Sequence, residues 1–158
     1  MALDHFISPT VPEAAAMAVR LGAGSGAGNQ VDTKEQGKIV KLAGESRYDL
    51  AAAGDDIEAI VYAVELAPQN GFSIGSVYSA GRARVVFDGL QATPGTGVIA
   101  VGDYVVAGTV TAKGTALATY PKVCKATSQG TQKALWRVMS LGPVGTGAVG
   151  TVGVIGRV

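Results

Sequence analysis

The chain has few of the side chains from which enzyme active sites are built. It has one cysteine, Cys124, and one histidine, His5, among 158 residues. A single cysteine cannot form an internal disulfide, and a lone histidine outside any motif is most often a surface residue. Ser25 lies between glycines, but it lacks the strand-to-helix elbow of a serine nucleophile and has only His5 as a base. The sequence therefore predicts no catalytic residue and no cofactor.

Long apolar runs and aromatic rings are also scarce. No run approaches the ~20 apolar residues of a membrane span, and the N-terminal MALDHFISP lacks the basic and apolar regions of a secretory signal. Aromatic residues make up 6% of the chain, which disfavours a carbohydrate site built on ring platforms. We expect a soluble protein that makes no membrane contact.

Glycine and short apolar runs are plentiful. The chain has 23 glycines, about twice the usual share. Short runs rich in β-branched residues recur between turn signals, and Asn70-Gly71 is a hairpin signal between two of them. The runs cover residues 38–43, 57–66, 72–81, 82–89, 97–110, 116–120, 122–127, 134–141 and 151–158. This spacing predicts nine or ten strands in an all-β fold, a small antiparallel sandwich or barrel that is jelly-roll-like.

The first 37 residues have a different character from the rest. Residues 8–21 fit an extended arm, or a short helix after Pro12, and the glycine-rich residues 22–30 fit a linker. We therefore predict an N-terminal arm and tether over residues 1–37 and a β-domain over 38–158. The candidate partner-binding side chains of the arm are apolar: Leu3, Phe6, Ile7 and Val11. Deletion of residues 2–21 is expected to leave a folded core.

Charge is unevenly divided along the chain. Asp103 is the last acidic residue, so residues 1–103 carry twelve acids against seven bases, and the remainder carries six bases. The basic part either faces an acidic partner or an identical neighbour, or it folds among the acidic strands and mixes with them. The candidate basic contacts are Lys122, Lys125, Lys133 and Arg137. Because no RNA- or DNA-binding motif accompanies them, we expect no direct contact with nucleic acid.

One pair of adjacent carboxylates, Asp55 and Asp56, raises the question of acid–base or metal chemistry. An alignment shifted by 48 residues matches Gly54-Asp55 with Gly102-Asp103, but Tyr104 replaces the second aspartate. The repeated element is therefore Gly-Asp before a strand. We predict a turn in which glycine takes a positive φ and aspartate accepts a hydrogen bond from the backbone just beyond it.

The runs KIVKLAGESRYDLAAAGDDIEAIVYAVE, SIGSVYSAGRARVVFDG and GVIAVGDYVVAG resemble the head decoration, or capsid cement, proteins of tailed bacteriophages. The resemblance covers residues 38–108. It implies a non-enzymatic protein, made in the bacterial cytoplasm, that binds the outside of the virion capsid. Its implied partners are the major capsid protein and itself, as a homodimer or homotrimer. No ligand or catalytic residue is carried over from this group.

Two other functions are compatible with the sequence. A tail-tube, fibre or head-fibre subunit would share the β-rich, glycine-rich chain, and it would form rings or tubes alone. A small ligand-binding or carbohydrate-binding β-domain would instead present a concave site. Under the decoration hypothesis, a chain without its arm is expected to fold but not to stay on shells.

Overall fold

The computed structural model describes residues 16–22, 31–44, 47–65, 73–127 and 136–158. Within these residues the chain forms eleven β-strands and one short 3-10 helix, Thr33–Glu35. The predicted all-β fold of sandwich or barrel type is confirmed. None of the helical segments described has the length and hydropathy that a membrane-spanning helix requires.

The first five strands close into a barrel. They are β1 (Ala16–Leu21), β2 (Ile39–Gly44), β3 (Arg47–Leu50), β4 (Ala59–Glu65) and β5 (Ser73–Tyr78). The hydrogen-bonded order is β1-β3-β2-β4-β5, and β5 pairs back to β1 along all six residues of β1. The β1–β3 pair is parallel, whereas the other pairs of the barrel are antiparallel.

The remaining six strands form a second sheet. They are β6 (Arg82–Leu90), β7 (Thr93–Pro94), β8 (Val105–Ala107), β9 (Lys122–Lys125), β10 (Trp136–Ser140) and β11 (Val152–Arg157). The order is β10-β11-β6-β9-β8, with β7 paired to β6. Tyr104, just before β8, forms a bridge with Arg137 of β10. The sheet therefore curls until its two edges meet.

The molecule has two apolar cores. One core lies inside the barrel, and the other lies between the barrel and the sheet. In β4, Ala59 and Val61 enter the barrel core, while Ile60 enters the shared core. Because side chains alternate across a strand, β4 serves both cores at once, as a strand buried on both faces does.

The predicted boundary at residue 38 lies too late in the chain. Ala16–Leu21 is a barrel strand with two partners, and Leu21 and Val31 are buried in the barrel core. Residues 16–21 therefore do not form a free arm or a helix, and deletion of residues 2–21 would open the barrel. Backbone pairing with β3 and β5 and the burial of Leu21 decide this, against the helical preference of the alanine run.

Other local predictions have mixed outcomes. The two runs flanking Asn70-Gly71 become the antiparallel pair β4–β5, although that turn lies outside the described residues. Residues 116–120 form no strand, and β3 occupies residues for which no strand was predicted. The β6–β9 pair is parallel rather than antiparallel.

Candidate functional site

The first Gly-Asp turn spans residues 52–55, between β3 and β4. The N–H of Asp55 donates to the carbonyl of Ala52 at 3.1 Å, and Oδ2 of Asp55 accepts from the N–H of Ala52 at 2.7 Å. Gly54 has a φ of 85°, which side-chain-bearing residues rarely adopt. The N–H of Gly54 donates to the carbonyl of Ala107 (2.8 Å), and the N–H of Ala107 donates to the carbonyl of Asp55 (2.9 Å). The turn therefore bonds the barrel side of the molecule to β8.

The second Gly-Asp turn, residues 100–103, repeats this geometry. Oδ2 of Asp103 accepts from the N–H of Ala100 at 2.8 Å, and Gly102 has a φ of 89°. The N–H of Gly102 donates to the carbonyl of Val138 (2.8 Å), and the N–H of Val138 donates to the carbonyl of Asp103 (2.9 Å). The turn thus occupies the outer edge of β10. The predicted positive φ is confirmed, but each aspartate accepts from the residue three positions earlier, not from the backbone beyond.

A third copy of the turn lies another 48 residues along, at residues 148–151. Gly150 has a φ of 85°. Its N–H donates to the carbonyl of Phe87 (2.8 Å), and the N–H of Phe87 donates to the carbonyl of Thr151 (2.9 Å), as in the other two turns. Thr151 replaces the aspartate and donates its hydroxyl to the carbonyl of Ala148 at 2.7 Å. Sequence reasoning missed this copy because it searched for Gly-Asp. The pattern Ala-x-Gly followed by Asp or Thr would have found it.

The aspartates of the first two turns are also paired with lysines. Nζ of Lys41 lies 2.7 Å from Oδ2 of Asp55, and Nζ of Lys125 lies 2.9 Å from Oδ1 of Asp103. Each of these carboxylates accepts a hydrogen bond within its turn and pairs with a lysine, so both kinds of contact stabilise the fold. Asp55 and Asp103 therefore serve the fold of their turns.

Three of the four predicted basic contacts lie in the described residues, and Lys133 does not. Lys125 and Arg137 meet at the second turn, where Nε of Arg137 donates to the carbonyl of Gly102 at 3.1 Å. The Arg137 guanidinium also lies 5.1 Å from the centroid of the Tyr104 ring. Lys122 lies elsewhere, with its Nζ 3.8 Å from Oδ1 of Asp88.

These pairs show how charge is distributed in the fold. Lys122 and Lys125 come from the basic end of the chain, and they pair with Asp88 and Asp103 from the acidic part. For these residues the two parts interleave and mix their charges. The alternative of a wholly separate basic face does not hold for Lys122 and Lys125.

Asp88 and Cys124 belong to a buried network behind β8. Oδ2 of Asp88 accepts from the N–H of Thr109 at 2.7 Å, and the Cys124 thiol donates to the carbonyl of Asp88 at 3.5 Å. Burial raises the pKa of the Cys124 thiol to about 11, and the neighbouring Asp88 carboxylate adds to the shift. A thiol with so high a pKa is a poor nucleophile at neutral pH.

A buried ion pair fixes a further turn, residues 112–115. Nζ of Lys38 lies 3.2 Å from Oε1 of Glu35 and donates to the carbonyl of Ala112 at 2.9 Å. The same Oε1 accepts from the N–H of Gly114. In the three turns above, the equivalent glycine N–H donates to a strand carbonyl. Here the Glu35 carboxylate takes the place of that carbonyl.

This ion pair adjoins a cleft between the barrel and the sheet. The cleft has a volume of about 350 Å³, which includes the space open to bulk solvent. Its walls are mainly apolar, and Lys38 and Lys122 are its charged residues. The lining consists of Lys38, Ile39, Leu50, Ala51, Ala107, Thr109, Val110, Thr111, Leu117, Pro121 and Lys122.

Exposed apolar side chains gather on two adjoining loops. Val98, Val101, Val144 and Val149 are 65%, 60%, 64% and 40% exposed. Val98 forms a backbone bridge with Ala148, which places the two loops side by side.

The arm residues Leu3, Phe6, Ile7 and Val11 lie outside the described residues. Within the described part of the chain, no group of three or more His, Cys, Asp or Glu side chains is placed to hold a metal ion. Comparisons with protein-family models, characterised proteins and solved structures gave no match.

Proposed function

We propose that this chain is a structural protein that attaches to the outer surface of a tailed-bacteriophage capsid. In that position it cements neighbouring major capsid subunits and stabilises the head. The observation that carries the proposal is the role of Asp55 and Asp103, two acidic residues within the runs that resemble decoration proteins. Each is bound into a turn and paired with a lysine. The motif residues thus contribute to the strength of the scaffold, which is the property that a cement protein requires.

The connections between the barrel and the sheet suit a protein that bears load. The turn at residues 52–55 bonds to β8, and Arg157 of β11 donates to the carbonyl of Glu58 at 2.8 Å. The shared core lies between the same two units. A pull on one unit is therefore transmitted to the other through backbone bonds and packed side chains.

Attachment to a shell is strengthened because the shell repeats the same binding site many times. A capsid presents many equivalent sites, so a protein held at one site meets its next site at high effective concentration. An arm with Leu3, Phe6 and Ile7 supplies apolar anchors that enter pockets on a neighbour. Weak single contacts then suffice for stable occupancy.

The test compares the full chain with a chain that lacks residues 2–15. This deletion keeps β1, which the barrel requires. Both proteins are mixed with empty shells assembled from the major capsid protein of the phage that encodes this sequence. The shells are then sedimented and imaged by electron microscopy. The full chain is expected to sediment with the shells, and the deleted chain is expected to remain in the supernatant with an unchanged circular dichroism spectrum.

The outcomes separate the parts of the proposal. A full chain that never sediments with these shells refutes the capsid function. A deleted chain that sediments as well as the full chain assigns attachment to the β-domain instead of the arm. Rings or tubes formed by the protein alone would favour a tail-tube or fibre subunit.

One observation favours a second function, the binding of a small ligand. The cleft has mainly apolar walls, with Leu50 and Leu117 among its lining residues together with Lys122, which suits an apolar ligand with an acidic group. Thermal denaturation with a series of fatty acids of increasing chain length tests this function. A melting temperature that does not respond to any of them counts against it.

A further inference from the structure

We infer that residues 108–121, the connection between β8 and β9, form a lid that opens and closes the cleft between the barrel and the sheet. We call these residues the lid segment, and we call the Glu35–Lys38 ion pair that holds it closed the latch. The inference adds a control on access to the ligand-binding function proposed above for the cleft, and it rests on that function for the ligand.

The lid segment is long and has no regular secondary structure. The structure describes all of residues 108–121, and none of them belongs to a strand or a helix. Residues 112–116, 118 and 119 are exposed. Connections of more than about 12 residues without secondary structure are uncommon in compact domains, and many of them are functional lids or binding loops. A segment that buries so little of itself depends on specific bonds to stay in place.

The lid segment supplies five of the residues that line the cleft. They are Thr109, Val110, Thr111, Leu117 and Pro121. The other lining residues include Ile39, Ala51 and Ala107, which are members of the shared core. Movement of the lid segment away from the barrel would therefore give a ligand access to apolar residues of that core.

Both ends of the lid segment are fixed to the sheet. The N–H of Gly108 donates to the carbonyl of Lys122 at 2.8 Å, and the N–H of Val86 in β6 donates to the carbonyl of Pro121 at 2.9 Å. A Cβ at Gly108 would lie only 3.0 Å from the backbone N of Val123, so glycine lets the two ends approach closely. Any movement of the lid segment therefore turns about these two ends.

The latch holds the middle of the lid segment to the barrel. Lys38 lies directly before β2, and its Nζ donates to the carbonyl of Ala112 at 2.9 Å. Oε1 of Glu35 accepts from the N–H of Gly114. Both latch residues are buried, whereas the two lid residues that they bind are exposed. Because hydrogen bonds to charged groups are stronger than those between neutral groups, the latch stabilises the closed position.

The first experiment measures access to the cleft with a thiol reagent. Ala51→Cys, made with Cys124→Ala, places a thiol on the cleft lining, where Ala51 is 5% exposed. Ala83→Cys in the same background is the matched control, because Ala83 lies in the shared core and is not among the cleft residues. The further changes Glu35→Leu and Lys38→Met, made together, remove the latch without leaving a buried charge. They are expected to accelerate labelling at position 51 at least about tenfold more than at position 83, because a hydrogen bond to a charged group contributes about a decade or more to an equilibrium constant.

The second experiment uses the wild-type chain and does not depend on any substitution. Hydrogen exchange of the Gly114 amide is measured at several low urea concentrations, with the Gly108 amide as the control at a fixed end. The Gly114 amide is expected to be protected at least about tenfold relative to a free amide. Its exchange rate is expected not to depend on urea, because local opening exposes little surface. Exchange of the Gly108 amide is expected to be slower and to accelerate as urea rises.

The outcomes of both experiments decide the inference. Equal acceleration at positions 51 and 83 overturns the lid, as does rapid labelling of Ala51→Cys while the latch is intact. A Gly114 amide that exchanges at the rate of a free amide, or only by global unfolding, overturns it too.

A fatty acid separates the lid from the ligand-binding function. Dodecanoate is added to the Ala51→Cys protein, and slower labelling is expected because a bound ligand fills the cleft. If removal of the latch accelerates labelling but dodecanoate does not slow it, the lid stands and the binding of apolar acids in the cleft is refuted.

Discussion

Nζ of Lys38 lies 3.2 Å from Oε1 of Glu35, and their side chains are only 6% and 0% exposed. The pairs Lys41–Asp55 and Lys125–Asp103 have lysine side chains that are 42% exposed. Burial makes the Glu35–Lys38 pair the more sensitive to loss of one partner, because the remaining charge would stay away from water.

Replacement of Glu35 by Leu is therefore expected to lower the free energy of unfolding by about 3 to 5 kcal/mol. The double variant with Lys38→Met removes both charges and is expected to recover more than half of that loss. Lys41→Met is the matched control, with an expected loss below about 1 kcal/mol. Urea denaturation measures all three variants. A single Glu35 variant as stable as the control would contradict this view of the pair.

Glycines 102 and 150 are expected to resist replacement by alanine because of their φ angles, not for lack of space. A Cβ at Gly150 meets nothing within 4 Å, and one at Gly102 meets only the Arg137 side chain at 3.5 Å. Each alanine variant should lose about 1 to 2 kcal/mol of unfolding free energy, the cost of a positive φ for an L residue. Gly44→Ala is the control, because its site is open and its φ is not positive. Equal stability of the three variants in urea would argue against conformational strain.

The aspartates of the two Gly-Asp turns are expected to act mainly through the backbone bond. In Asp55→Asn and Asp103→Asn the side-chain oxygen still accepts from the residue three positions earlier, and only an exposed ion pair is lost. The expected loss is below about 1 kcal/mol. In the alanine variants the hydrogen bond is lost too, and about 1.5 to 3 kcal/mol is expected. Urea denaturation at low and high salt separates the two contributions. Equal losses in the Asn and Ala variants would show that the ion pair dominates.

The Cys124 thiol links stability to alkaline pH. Its pKa is raised from 9.0 to about 11 by burial and by Asp88. The unfolded chain therefore releases this proton first, and the stability associated with the neutral thiol is lost as pH rises from about 9 to 11. The wild type is expected to lose stability relative to Cys124→Ala over that interval.

Unfolding free energies of both proteins at matched pH values measure this difference. The comparison cancels the titration of lysines and tyrosines that the two proteins share. In the native wild type, a thiol reagent at pH 8 should modify Cys124 only at the rate of unfolding. Parallel pH profiles, or rapid modification of the native protein, would contradict the buried neutral thiol.

Local patterns in the sequence predicted most of the strands but not their long-range arrangement. The runs around Ile60, Val77 and Val85 have clear strand patterns and form β4, β5 and β6. β1 was missed because its first residues follow an alanine run typical of a helix, and its strand form depends on partners more than 20 residues away. β3 has only four residues and carries Arg47 and Asp49. The two other residues of β3 are too few to show the alternation of apolar and polar residues that predicts a strand.

In the turns, too, local conformation could be predicted from the sequence, whereas long-range contacts could not. The positive φ of Gly54 and Gly102 follows from glycine in a turn, and so it was predictable. The partners of these turns were not, because Ala107 and Val138 are distant in sequence. Pairing of Lys122 with Asp88 likewise depends on the parallel β6–β9 pair, which neither strand's own pattern indicates.

The alternation of β4 between the two cores makes barrel and sheet a single unfolding unit. If the barrel opened alone, Ile60 would leave the shared core together with Ala59 and Val61, so the sheet would lose part of its own support. We therefore expect one cooperative transition without a half-folded intermediate. The backbone amide hydrogens of β4 should exchange with solvent deuterium only when the whole molecule unfolds, and they should be among the last to do so.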